Sequence, residues 1–147
     1  MMDLSDQSKL QLAKEFLALN KLAVLSTVDP KGLPESAVIG FSETEDFEII
    51  FGTFASARKY ENLQKNSAVS LVVGWEMGKT MQLEGRAQEV TDPVEVQNCL
   101  HVHLAKVPSA AKYVNHHEER FFKITPTWLR YSDLATDPWD VFEINFK

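Results

Sequence analysis

Seven short segments with the character of β-strands constrain the fold of this 147-residue chain more than any other feature. They occupy residues 22–27, 36–41, 47–53, 68–73, 79–90, 121–131 and 140–146. Most are joined by turns, such as the Asp-Pro-Lys-Gly turn at 29–32, and this order predicts an antiparallel sheet. Because closure removes exposed strand edges, the sequence predicts that the sheet closes into a β-barrel.

Two of these segments predict different surroundings for their strands. Residues 68–73 (AVSLVV) form a continuous apolar run, which is typical of a strand buried on both faces. Residues 79–90 alternate, with Met81, Leu83 and Ala87 on one face and polar side chains on the other, so this strand has one face in water. Gly85 lies inside the alternating segment and marks a bend.

The remaining segments predict peripheral helices. In residues 5–20, four apolar side chains share one helical face: Leu10, Ala13, Phe16 and Leu17. Helices are also predicted at 56–65 and at 92–106, where Asp92 is the N-cap and Pro93 the first helical residue, and a short helix within 109–119. The fold class is therefore mostly β with peripheral helices, and the length favours one domain over residues 1–147.

Composition restricts the partners of the chain. The net charge of −6 disfavours general binding to the phosphate backbone of nucleic acids. No apolar run is long enough to cross a membrane, and the start lacks the apolar stretch of a signal peptide. A single cysteine, Cys99, and scattered histidines give no metal-binding pattern. We expect a cytoplasmic protein without a nucleic-acid, membrane or metal partner.

The segment with the most chemical information is FGTFASARKYENL, residues 51–63. Thr53 and Ser56 offer hydroxyl groups, and Arg58 and Lys59 place two cations in the first turn of the predicted helix. Cations are disfavoured there by the helix dipole, but a bound phosphate would satisfy the cations, the hydroxyls and the free backbone N–H groups together. The alternative is that Ser56 is an N-cap and that both cations are solvated. The glycines of a Walker loop or a Rossmann fingerprint are absent.

Three stretches together resemble the pyridoxamine 5′-phosphate oxidase-like family of split β-barrels, which bind flavin mononucleotide (FMN). They are LAVLSTVDPKGLPESAVIGF, FGTFASARKYENLQKNSAVSLVV and TMQLEGRAQEV. The resemblance is clear over residues 18–90 and looser through residue 146. It implies an antiparallel split barrel that forms a homodimer, with FMN at the interface between the two chains.

The resemblance also implies which positions contact FMN. The phosphate would be held by the hydroxyl and basic residues after the third predicted strand: Thr53, Ser56, Arg58 and Lys59. The isoalloxazine ring would lie along the second predicted strand, beside Ser36, Ala37, Val38 and Ile39. Further contacts are implied for Thr80 and Gln82, and for Trp128 and Arg130, which with Trp139 would stack on the flavin or close the pocket from the partner chain. The alternative for Trp128 and Arg130 is a core tryptophan and a surface arginine.

No general acid, base or nucleophile stands out, which suits chemistry supplied by a cofactor. We expect an FMN-dependent oxidoreductase that takes electrons from a small-molecule donor. The alternatives are a non-enzymatic flavin-binding stress protein or redox sensor, or a relative that binds a deazaflavin or haem. Pyridoxamine 5′-phosphate oxidase itself is disfavoured, because the end of the chain, PWDVFEINFK, lacks an arginine-rich substrate segment.

Overall fold

A computed structural model describes residues 6–146 of the chain. Its helices are α1 (Asp6–Leu19), α2 (Arg58–Lys65) and α3 (Pro93–Lys106), followed by a 3₁₀ segment (Pro108–Tyr113). Its strands are β1 (Leu22–Val28), β2 (Pro34–Gly40), β3 (Ser42–Glu43), β4 (Ile49–Phe54), β5 (Ala68–Val73), β6 (Lys79–Glu89), β7 (Glu119–Asp133) and β8 (Asp140–Asn145). No helix among these residues is long and apolar enough to span a membrane.

The strands form one antiparallel sheet in the order β2-β1-β5-β6-β7-β4-β3, with β8 paired to the free part of β7. The sheet curls into a half-barrel with helices at its periphery, so the predicted fold class is confirmed. Curling brings β2, an edge strand of the sheet, into contact with β4, and α2 lies against β1 and β4 beside this opening.

A register shift between Glu84 and Gly85 bends β6 against β7, as the sequence predicted. A Cβ atom at Gly85 would lie 2.4 Å from the backbone oxygen of Thr125, so the two strands could not approach this closely with any other residue. The bend lets β6 follow the curvature of the barrel wall, because a bulge increases local twist.

The inner face of the sheet holds the hydrophobic core. Its largest fully buried side chains include Phe41, Phe51, Phe122, Leu83 and Met81. Helix α1 covers this core with Ala13, Phe16 and Leu17, while Leu10 is partly buried, so the predicted helical face is confirmed. Ser5, the predicted start of this helix, lies outside the described residues.

One prediction of local structure was wrong, and two were confirmed only in part. β5 is buried on one face only: Ser70 and Val72 point away from the core, and Val72 is 38% exposed. The acidic stretch 42–46, which predicts a turn between the second and third predicted strands, begins with β3 and turns at residues 45–46, so β4 starts at Ile49. The short helix predicted within 109–119 is present as the 3₁₀ segment.

The N-cap predictions had mixed outcomes. Asp92 caps α3 through its carboxylate, which accepts a hydrogen bond from the backbone N–H of Glu95 at 3.1 Å. The cap of α2 is Ala57, without a side-chain hydrogen bond, so the alternative interpretation of Ser56 as an N-cap was wrong. The Ser56 hydroxyl donates instead to Oε2 of Glu118 at 3.1 Å.

Candidate functional site

A cavity of about 120 Å³ lies where the start of α2 meets the edge strand β2. We call it the β2–α2 cavity; its lining residues are Leu25, Thr27, Glu35, Ser36, Ala37, Arg58 and Lys59. The cavity therefore brings together both predicted cations and the first half of the segment predicted to contact the flavin ring. It exists because the half-barrel remains open between β2 and β4 and α2 only partly covers that opening.

The two cations of the β2–α2 cavity differ in exposure and in partners. The side chain of Arg58 is 75% exposed, and its Nη1 lies 3.1 Å from Oε2 of Glu35. The Lys59 ammonium is half-buried and donates to Oγ1 of Thr53 at 3.4 Å. Burial lowers the pKa of Lys59, because removing the ammonium from water disfavours its charged form. A bound anion would offset this cost.

Glu35 is a member of this cavity that the sequence reasoning missed. Its Oε1 accepts a hydrogen bond from Nδ2 of Asn62 at 2.8 Å, and the same amide nitrogen donates to Oγ1 of Thr27 at 2.9 Å. Asn62 is buried, so the Glu35 carboxylate is fixed from behind. The available signal was the hairpin register, which pairs Glu35 with the inward-facing Thr27.

The predicted ring segment divides between the two faces of the sheet. Ala37 lies opposite Leu25 and Ile39 opposite Ala23, so these two share the inner face. Ser36 and Val38 face outward; the Ser36 and Ser26 hydroxyls are 2.8 Å apart, and Val38 is 62% exposed. Because β2 is an edge strand, some of its backbone N–H and C=O groups have no ladder partner and are available to a ligand.

The other predicted contacts form a separate group on the outer face of β6 and β7. Gln82 lies opposite Arg130, and Thr80 lies opposite Ser132. Arg130 pairs with Glu143 of β8, and the indole nitrogen of Trp128 donates to the same carboxylate at 3.0 Å. The strands β1 and β5 separate this group from β2, a distance of roughly 14 Å along the sheet. Within one chain, a ligand that contacts both groups would therefore have to extend across three neighbouring strand spacings.

A second cavity, of about 310 Å³, lies between the outer face of β4 and the C-terminal part of α3. We call it the Glu119 cavity; its lining residues are Leu22, Gly40, Gly52, His103, Val107, Ser109, Ala110, Lys112, Tyr113, Glu119 and Phe121. Gly40 follows directly on the predicted ring segment, so the cavity begins where that segment ends. None of these residues was predicted as part of a site.

The carboxyl group of Glu119 is the most unusual group in this cavity. Its Oε1 atom is buried and has no hydrogen-bond partner among the described residues. The absence of a side chain at Gly52 makes room for it, since a Cβ there would lie 2.7 Å from Oε1. Burial raises the pKa of Glu119, which the backbone N–H of Arg120 offsets only in part. Burial favours the neutral acid.

His103 lines the same cavity and is almost fully buried. Its Nδ1 lies 2.8 Å from the Ser42 hydroxyl, which leaves Nε2 as the ring nitrogen available to a ligand. Burial and the nearby Lys106 charge lower the pKa of His103, so the ring is neutral near pH 7. Among residues 6–146, no group of three or more His, Cys, Asp or Glu side chains could hold a metal ion.

The curled antiparallel half-barrel defines a class of small split-barrel proteins. Within this class, the family model "Pyridoxamine 5′-phosphate oxidase" matches residues 10–133. This match covers most of the chain, which therefore belongs to the pyridoxamine 5′-phosphate oxidase family.

Individual relatives match the chain only in part or at low identity. A pyridoxine/pyridoxamine 5′-phosphate oxidase of Legionella pneumophila (strain Lens) is 35% identical over 69 residues, which are 46% of this chain and 32% of the oxidase. The match thus spans about a third of that enzyme.

Two solved structures share the fold. A protein from Clostridium acetobutylicum related to general stress protein 26 has a TM-score of 0.75 at 16% identity, covering 95% of this chain and 97% of that one. A heme binding protein from Mycobacterium smegmatis has a TM-score of 0.81 at 14% identity, and the match covers 99% of this chain and 60% of that one.

Proposed function

We propose that the protein binds FMN, with the phosphate in the β2–α2 cavity, and acts as a flavin-dependent oxidoreductase. The observation that carries the proposal is the convergence of Arg58, Lys59 and Thr53 beside the edge of β2. A phosphate monoester carries about 1.5 to 2 negative charges near pH 7 and accepts several charge-assisted hydrogen bonds. It would meet both cations and replace solvent around the half-buried Lys59.

The edge strand β2 provides a place for the isoalloxazine ring next to the phosphate. Its unpaired backbone groups can hydrogen-bond to the polar edge of the ring, so the identities of Ser36, Ala37, Val38 and Ile39 matter less than their extended conformation. Arg58 and Lys59 bind the phosphate, and the β2 backbone orients the ring. The flavin, when bound, supplies the transfer of hydride or electrons.

A homodimer explains why the second group of predicted contacts lies far from the first. We propose that Thr80, Gln82, Trp128 and Arg130 reach the flavin bound by the partner chain. The outer face that would form the interface exposes apolar side chains in three neighbouring strands, namely Leu22, Val38 and Val72. Burying such side chains against a second copy would stabilise the dimer.

The Glu119 cavity is the proposed site of the small-molecule electron donor or substrate, because it adjoins the ring segment at Gly40. A neutral His103 and the Glu119 carboxyl can orient a polar group there, while the buried Phe121 forms part of an apolar wall. The cavity is lined by one lysine, Lys112, and no arginine. We therefore favour a substrate without a tightly bound phosphate group.

A second candidate function is flavin binding without sustained turnover, as a stress-related carrier or redox sensor. It is supported by the similarity over nearly the whole length to the protein related to general stress protein 26. The similarity to a heme binding protein keeps haem as an alternative ligand. Neither cavity is lined by an exposed histidine: His103 is almost fully buried, and the exposed His116 lies outside the lining of both cavities.

One experiment tests these proposals together: the absorption spectrum of the purified protein as it elutes from a gel-filtration column equilibrated with FMN. We expect a two-band flavin spectrum above that of the column buffer, at about one FMN per chain, in a peak that elutes as a dimer. Bleaching of the bands by reduced nicotinamide, followed by reoxidation over many cycles, would support an oxidoreductase over a carrier. A protein peak that carries no FMN beyond that of the column buffer would contradict the cofactor, and a Soret band after incubation with haem would favour the haem alternative.

A further inference from the structure

We infer that Glu35 is a built-in counter-ion of the β2–α2 cavity that competes with the phosphate of the ligand and so keeps FMN exchangeable. The inference rests on the proposed function, since it names a residue that sets the affinity of the same site. It starts from the observation that a carboxylate lies in the wall of a cavity otherwise suited to an anion.

Glu35 forms an ion pair with Arg58, the cation that a phosphate would also need. Its Oε2 lies 3.1 Å from Nη1 of Arg58, while its own side chain is only 20% exposed against 75% for Arg58. The arginine is thus the movable partner and the glutamate the fixed one. A phosphate that binds Arg58 must either share the guanidinium with Glu35 or draw it away.

The structure holds Glu35 in place from the side opposite Arg58. Asn62 is 3% exposed, and its amide group connects Oε1 of Glu35 to the buried Thr27 of β1. Moving the carboxylate away would leave the buried Asn62 N–H groups with fewer partners, which costs free energy. The negative charge therefore remains beside the bound phosphate and repels it.

This arrangement reduces the net positive charge of the cavity. The two cations Arg58 and Lys59 are offset by one carboxylate, and Lys59 already has a lowered pKa through burial. A phosphate carrying nearly two negative charges faces a site of about one net positive charge. The expected consequence is a flavin that binds and dissociates, rather than one retained as a permanent prosthetic group.

The test is the variant Glu35→Gln, which removes the charge and keeps an oxygen that accepts from Asn62. We expect its dissociation constant for FMN, measured by quenching of flavin fluorescence, to fall by about tenfold, because the variant lacks the like charge that lies a few ångströms from the bound phosphate. Its affinity for riboflavin, which has the same ring but no phosphate, should not change. Thermal unfolding of the variant checks that it folds.

The matched control is Glu48→Gln. Like Glu35, Glu48 is a partly buried glutamate paired with a basic side chain, in this case Lys123 at 3.8 Å. Glu48 lies at the opposite end of β4 from Thr53. Its affinity for FMN should equal that of the unmodified protein. An unchanged or weaker affinity of Glu35→Gln for FMN, or an equal gain for riboflavin, would overturn the inference alone. Absence of FMN binding in every protein would overturn the proposed function and the inference with it.

Discussion

The two cavities differ in whether their charged and polar groups have hydrogen-bond partners. They are reached from two consecutive residues of β4 that face opposite sides of the sheet. Thr53 of β4 accepts a hydrogen bond from Lys59 of the β2–α2 cavity, whereas Gly52 lines the Glu119 cavity, because successive residues of a strand face opposite sides. In the first cavity Arg58 and Lys59 each have a described partner. In the second, one carboxyl oxygen of Glu119 has none.

The difference indicates different roles. A site whose charges are paired in the free protein can exchange those partners for a ligand at little net cost, which suits a cofactor that binds and leaves. A buried polar atom without a partner destabilises the folded chain unless something compensates it. The free-energy cost of burying the Glu119 carboxyl is thus explained if a substrate supplies the missing hydrogen bond.

The largest effect is expected from removing both cations of the β2–α2 cavity. In the double variant Arg58→Ala/Lys59→Ala, the affinity for FMN should fall by about a hundredfold or more, because each charged hydrogen bond contributes roughly 1.5 to 3 kcal/mol. Arg58→Ala alone should account for a large part of this loss of affinity for FMN. Fluorescence titration measures the effect, and Lys65→Ala, an exposed lysine at the other end of α2, is the control. Undiminished affinity of the double variant would place the phosphate elsewhere.

Sequence reasoning predicted the β-rich fold and the position of the cations because both depend on local patterns. The alternation of Met81, Leu83 and Ala87 marks the inner face of β6, and the Asp92-Pro93 pair marks the start of α3. In the same way, a strand followed by a short helix was enough to place Arg58 and Lys59 near the start of α2.

The missed residues depend on contacts between distant parts of the chain. Glu35 acquires its role through Asn62, which is 27 residues away, and Asn62 bonds to Thr27, which is 35 residues away. The Glu119 cavity arises only when Gly52 of β4 pairs beside the start of β7. The two-sided burial predicted for β5 failed for a related reason: an apolar run does not reveal whether another layer covers its second face.

A smaller effect, on the free energy of unfolding, is expected when alanine replaces one of the two glycines that line the Glu119 cavity, and it should differ between them. In Gly52→Ala the new Cβ would lie 2.7 Å from Oε1 of Glu119 and must displace the carboxyl. In Gly40→Ala it would make ordinary contacts, at 3.7 Å from Val107 and 4.0 Å from the backbone oxygen of Lys21. We expect Gly52→Ala to lower the free energy of unfolding by about 1 kcal/mol, and to cost nothing in a Glu119→Ala background. Urea unfolding measures both. The same cost in both backgrounds would show that the Glu119 carboxyl does not depend on the space at Gly52.

The smallest effect concerns the charge of Glu119 and is visible only as a dependence on pH. Burial raises the pKa of this carboxyl above its ordinary value of 4.5, so ionisation is easier in the unfolded chain than in the folded one. The contribution of Glu119 to stability is therefore complete below that value and is lost as the pH rises through the raised pKa of the folded protein. Glu119→Gln cannot ionise, so its melting temperature should match that of the unmodified protein near pH 4 and exceed it at pH 8. A difference that is constant over this range, or that grows towards acid, would mean that the carboxyl is already ionised in its cavity and paired by a group that the described contacts do not include.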